Sequence, residues 1–225
     1  PEGKVREFLD KHLPSDNEVA AQADMQAAEQ LAQAGDAQAA IAKLQEALSL
    51  NPADDEARYN LVKLLISVGE LEEAQTALAP KLTDIPLQLR FDALHYWLQA
   101  LQFVASDERG GWNFEQFDAL IAQNKRDFDT RLAKARLFIA AELFENAMEE
   151  LLEIIMRDKT WNHDVARKTY VAILELLTPP KPKTDDAAIG KSAGGIELTG
   201  KAVVQEDPVL EMISRYRRKL SMALN

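Results

Sequence analysis

Apolar residues recur at helical spacing along most of the chain, in stretches punctuated by glycine and proline. One interval dominates. Gly35 and Gly69 stand 34 residues apart, as do Ala40 and Ala74, Leu44 and Leu78, and Pro52 and Pro86. GDAQAAIAKLQEALSLNP and GELEEAQTALAPKLTDIP therefore align without a gap, and each follows an apolar-periodic helix. The predicted unit is helix, glycine turn, helix, proline stop. Small residues fall where two helices must approach, at Ala28 in the first helix and at Ala40 and Ala47 in the second. Leu31, Leu44, Leu65 and Leu78 fill the space between. Glycine in the turn accepts the positive φ that closes a helix. Pro80 predicts that the second helix of the second unit stops near Ala79.

Further along, the period weakens. In AELFENAMEELLEIIMRD, Ala147 and Leu151 match Ala40 and Leu44, but Glu142 stands where the turn glycine should be. Between the copies, 87–127 reads as two helices joined by the polar turn Asp107–Gly111. Helices are also predicted over 161–177 and 208–223, the last with Asp207 as N-cap and Pro208 at its first position. The spacing resembles the tetratricopeptide (TPR) repeat. The predicted fold class is all-α: a TPR-like helical solenoid with a degenerate middle repeat and a C-terminal capping helix.

Composition narrows the function. At 47% hydrophobic and 28% charged, 225 residues suffice for one large core or two small ones. No apolar run approaches the ~18 residues of a membrane span. PEGKVREFLDKH is charged throughout, unlike a signal peptide. Without cysteine there is no disulfide, thiolate nucleophile or Cys-bound zinc. A net charge of −11 disfavours a nucleic-acid binder, which needs a basic face. A soluble, acidic, cytoplasmic protein is the expectation, with no membrane partner.

Charge and glycine shift once. Residues 1–177 carry 18 basic and 31 acidic side chains; 178–225 carry 8 and 6, together with four of the nine glycines. Residues 178–206 read as a flexible insertion, with a small hairpin across Thr199-Gly200 as the other reading. Gly190-Lys191-Ser192 is not a phosphate loop, because Asp185 stands where its first glycine belongs. Four segments result: 1–14, a solenoid over 15–177, the insertion 178–206, and the terminal helix 207–225.

The first segment sits outside the repeat. EGKVREFLDKHL puts Val5, Phe8, Leu9 and Leu13 on one side, and its pattern resembles the last helix of a thioredoxin fold. A capping helix of the solenoid is the other reading, and the exposed stripe offers a surface on which two copies pair. PEGKVREFLDKHLP, the two repeats and the closing Tyr216, Arg217, Arg218 and Leu220 together resemble the bacterial chaperedoxin co-chaperones (YbbN/CnoX type), as do Arg167, Lys168 and Thr169. In that family a thioredoxin-fold domain is fused to a TPR domain. The resemblance implies that this chain is the C-terminal part of a longer protein. It also implies a holdase that binds unfolded client proteins and passes them to a GroEL-type chaperonin and a DnaK-type chaperone. The insertion departs from the family pattern.

No reactive constellation is visible, so the chain is read as a protein-binding module and not as an enzyme. His12, His95 and His163 have no partner at metal-ligand spacing. No cofactor is implied. Glu149-Glu150 and Glu70-Glu72-Glu73 read as solvated faces, and Trp97, Trp112 and Trp161 as packing residues. In TPR arrays the first helix of each pair lines the groove. That places Gln22, Met25, Glu29 and Ala32 there in the first repeat, and Glu56, Tyr59, Lys63 and Ile66 in the second. Of the basic and amide residues that clamp a C-terminal carboxylate, only Asn60 matches; Met25, Glu29, Asp129 and Ala133 do not. The groove offers Met25, Tyr59 and Ile66 to apolar segments, or these side chains simply pack. In the last helix Val209, Ile213, Tyr216, Leu220 and Ala223 form one stripe, with Arg215, Arg218 and Lys219 off it. It is either a buried cap or a docking helix through Ile213, Tyr216, Arg217, Arg218 and Leu220. The alternative function is a scaffolding adaptor for one folded partner or peptide.

Overall fold

Ser15 opens the first helix, α1 (Asp16–Gln33), through a capping box. The Glu18 amide donates to Ser15 Oγ at 3.3 Å, and the Ser15 amide donates to the Glu18 carboxylate at 2.6 Å. Two backbone donors that a first turn leaves free are thereby satisfied. The computed structural model describes residues 15–179 and 208–225. The readings of 1–14, of 180–206 and of Asp207 as a cap lie outside these residues. The chain divides into two units, one running to Trp112 with Ile139–Glu142, the other comprising Asn113–Phe138 and Leu143–Asn225.

Unit one continues with α2 (Ala37–Leu50), α3 (Asp55–Val68), α4 (Leu71–Leu78) and α5 (Leu89–Ser106). Each helix packs on the next, and α3 also meets α5. Ala28, Ala40, Ala47, Ala57 and Ala74 are at most 2% exposed. With only a methyl on each, the backbones close up and Leu44, Leu65, Leu78 and Leu94 fill the remaining space. Leu31 stays half-buried. Helix α4 ends at Leu78 and tightens into a 3-10 turn over Ala79–Thr83 with Pro80 inside it, as the proline predicts. A second 3-10 turn, Glu108–Gly111, follows α5. A Cβ on Gly110 would lie 2.2 Å from the Val104 carbonyl oxygen, so this close approach requires glycine.

The glycine turns share one geometry. Gly35 and Gly69 have φ of +83° and +84°. Gly35 and Asp36 donate to Ala32 and Leu31, and Gly69 and Glu70 donate to Ile66 and Leu65. These are paired 5→2 and 6→1 bonds that satisfy the last carbonyls of a helix. The sequence shows no glycine at the third such site, yet the turn is there. Glu142 adopts φ +57° and donates to Ile139, while Leu143 donates to Phe138.

Unit two contains α6 (Phe114–Gln123), the first part of α7 (Phe128–Ala140), α8 (Phe144–Arg157), α9 (Trp161–Leu177) and α10 (Pro208–Leu224). Helices α8, α9 and α10 pack pairwise. Their core holds Met148, Leu151, Ile154, Ile155, Tyr170 and Ile173. Phe114 stacks on Phe138 at 4.3 Å, and Trp161 meets Phe128 edge-on at 5.6 Å. Trp97 is buried in α5, and Trp112 is half-buried.

Two expectations need correction here. The helix predicted over 161–177 is not right-handed throughout. Asn162, His163 and Asp164 have φ of +47°, +55° and +62°, a left-handed turn before the regular helix. Left-handed backbone is costly for side-chain-bearing residues, although asparagine and aspartate accept it best. Nor do both carboxylates of Glu149-Glu150 belong to a solvated face: Glu149 is exposed as expected, but Glu150 is not. Glu150 reaches inward to Arg131 at 2.6 Å and Lys134 at 2.7 Å, and both cations are buried. Lys134 also meets Asp118 at 2.6 Å. Two cations brought out of water need carboxylates beside them.

Candidate functional site

The residues expected to line the groove of unit one separate on inspection. Glu29 and Lys63 are exposed, as are Gln22, Ala32 and Glu56; Met25, Tyr59 and Asn60 are half-buried. Ile66 is 3% exposed and belongs to the core between α3 and its neighbours, so it is not open to a ligand. Around Tyr59 the structure adds an unpredicted partner from α5. The Arg90 guanidinium lies 5.6 Å from the Tyr59 ring and 5.0 Å from the Phe91 ring, and donates to Glu56 at 2.9 Å. Beside it Lys81 pairs with Asp55 at 2.8 Å and also with Asp84. The Lys81 hydrogen bond, with Gln88 and Arg90 assisting, holds the Asp55 carboxyl below the usual carboxylate range against the opposing effect of burial. This end of unit one is a fixed polar arrangement.

In α10 the structure corrects half of the docking set. Ile213 and Tyr216 are each 3% exposed, facing α8 and α9. The Tyr170 hydroxyl donates to the Tyr216 carbonyl at 2.8 Å. The Tyr216 hydroxyl lies 3.1 Å from Glu145 and 3.0 Å from Glu149. Burial, with Glu149 and Glu145 nearby, pushes the Tyr216 phenol upward, so it stays protonated. Arg215 pairs with Glu145 at 2.6 Å and Lys219 pairs with Glu149. Exposed on α10 are Arg217, Arg218, Val209 and Leu210, together with Arg215 and Met222, while Leu220 is half-buried. The sequence stripe is thus mainly the cap seam.

A second groove, which the sequence reading did not identify, runs between α8 and α10. Its volume is about 690 Å³, within the range of ligand-sized clefts. Leu152 forms its buried floor, and Met156 and Met222 stand on its opposite walls, 55% and 78% exposed. At one end Lys219 pairs with Glu149 across the gap; at the other Lys159 donates to the Leu224 carbonyl at 2.6 Å. Arg131 below is paired with Glu150 at 2.6 Å and approaches Glu153 at 3.7 Å. The signal available in the sequence was the wide apolar face of α8, which is more than one neighbour needs. Its partner lies about 70 residues away, and no local pattern announces that pairing.

Among the described residues no group of three or more His, Asp or Glu could hold a metal ion, and no helix is long and apolar enough to cross a membrane. His95 is half-buried, and burial lowers its pKa against the pull of Asp92.

Two family models match the chain, both described as tetratricopeptide repeat. One covers residues 31–95 and the other residues 110–187. No curated protein matches it. The chain therefore carries a TPR domain, a protein–protein interaction module, and its fold class is the all-α, TPR-like helical solenoid that the 34-residue spacing predicts.

Proposed function

We propose that this TPR domain is the non-catalytic protein-binding module of a co-chaperone that holds unfolded clients and passes them to chaperone systems. The observation that carries the reading is the open groove of unit two, with a leucine floor and a methionine on each wall. Unbranched, polarizable methionine side chains adapt to irregular apolar shapes, as promiscuous binding requires. The resemblance to chaperedoxins supplies the partners: unfolded proteins first, then a GroEL-type chaperonin and a DnaK-type chaperone. Arg217 and Arg218, in water on α10, with Leu220 beside them, are the groups left for chaperonin docking.

One observation favours a different reading, a scaffolding adaptor for a single folded partner. The Tyr59, Arg90 and Glu56 cluster is ordered and polar, and a fixed arrangement suits a fixed ligand. Light scattering of a chemically unfolded client, diluted with and without equimolar protein, separates the two. Suppressed scattering is the expected result; undiminished scattering would leave the adaptor.

A further inference from the structure

The carboxylates and the buried cations around the α8–α10 groove are answered within the protein. Glu149 is taken by Lys219, Glu150 by Arg131 and Lys134, and Glu153 by Arg157 at 2.5 Å; Lys159, exposed at one end, holds only the neutral Leu224 carbonyl, and a pair formed there in water is worth little. An entering carboxylate or ammonium would lose water and find its counter-charge already engaged, which costs free energy without return. The complementary occupant is neutral. Apolar side chains, by contrast, meet Leu152, Met156 and Met222. The length of the groove sets the rest. From Glu149 to Arg157, α8 spans about 12 Å at 1.5 Å per residue, room for about four residues extended at 3.3 Å each.

We propose that the groove between α8 and α10 is a binding site for short, extended, uncharged apolar segments, selected by a rim whose carboxylates and buried cations are already paired. The proposal rests on the client-holding reading and names the class of segment that a client must offer. It differs from an electrostatic holdase surface in one consequence: binding is insensitive to salt, because no net ion pair forms.

The test uses the whole chain and an acetylated, amidated hexapeptide in which leucine alternates with serine. Two control peptides carry aspartate or lysine in place of serine. Binding is followed through the methionine methyl signals in NMR, five in all. The neutral peptide shifts Met156 and Met222 saturably and leaves Met25 and Met148 in place. It binds about tenfold more tightly than either charged peptide, and added salt changes its affinity by less than about twofold. M156E and M222E, both at exposed positions, abolish the shifts while circular dichroism shows the fold retained; M156L and M222L stay within about threefold of the parent.

Equal affinity for a charged peptide would overturn the proposal, as would shifts confined to Met25 or Met148. Movement of Met156 and Met222 on raising protein concentration alone would assign the groove to a second copy of the chain. Failure here is distinguishable from failure of the holdase reading. Client protection that survives M156E/M222E sinks the groove and spares the holdase. Peptide binding without protection does the reverse.

Discussion

Both units bring their helices together over buried alanine, but unit two adds buried charge to the seam. In α1 to α4 the contact positions are Ala28, Ala40, Ala47, Ala57 and Ala74, and the polar groups stay at the surface. In α6 to α10 the contacts include Arg131, Lys134 and Glu150 within the fold, with Tyr170 bonded to Tyr216 beside them. The first solution is permissive, since any pair of helices with small residues at the seam can approach. The second is demanding, because a buried charge without its partner is far costlier than a small void. Among the described residues no buried side-chain nitrogen or oxygen lacks a partner, so unit two meets that demand.

The largest effect should come from breaking the demanding seam. Glu150→Ala leaves Arg131 and Lys134 buried with only Glu153 and Asp118 near them, and is expected to cost about 3 kcal/mol in urea unfolding. Replacing all three by apolar residues of similar size should cost less than the single change, because no charge is then stranded. A single variant no worse than the triple would mean that the network is held in water rather than buried. The same network has a pH signature. Burial alone would lower the pKa of Lys134, but hydrogen bonds from it to Asp118 and Glu150 outweigh that and raise it above the ordinary lysine value. A cation raised on folding contributes its stability in full below the unfolded value of about 10.4 and loses it as pH rises through the folded one. Alkaline titration of unfolding should therefore show a steeper decline in the parent than in K134M, which keeps only the share of Lys81, Tyr170 and Tyr216, all raised as well.

Second in size is the permissive seam. Ala74, at 0% exposed, lies where α4 meets its neighbours. Ala74→Leu inserts a side chain where backbones are closest, and should lower stability by about 2 kcal/mol. A neutral result would show the alanine seam to be loose, and the contrast between the two units would fail.

The contrast also explains what the sequence could tell. In unit one the 34-residue interval, the glycine pair and Pro80 are local signals, and the helices, turns and early stop of α4 follow them. In unit two the decisive contacts are long-range. Arg131 and Glu150 are on different helices, Tyr170 and Tyr216 are 46 residues apart, and a count of charges cannot distinguish a buried lysine from a solvated one. Ile66, Ile213 and Tyr216 were read from periodicity, which places residues on a face but does not name what covers it. The groove holding Met156 and Met222 is invisible for the same reason. The left-handed turn at Asn162, His163 and Asp164 carries no glycine to mark it.

The smallest effect isolates the turn that closes a helix with a left-handed residue, glycine at Gly35 and Gly69 but glutamate at Glu142. Nothing lies within 4 Å of a Cβ built on Gly35, so Gly35→Ala adds no clash and its cost is conformational, about 1 kcal/mol. Glu142 holds the same backbone, at φ +57°, and already bears that strain. Glu142→Gly relieves it, but glycine also gives the unfolded chain more freedom, worth roughly 0.5–1 kcal/mol in the opposite direction. A net gain of about 0.5 kcal/mol is expected, read as a rise in melting temperature against the fall from Gly35→Ala. Equal falls in the two variants would mean that the Glu142 side chain contributes a contact that the backbone argument omits, and the third turn would then be held by its side chain as well as by its backbone.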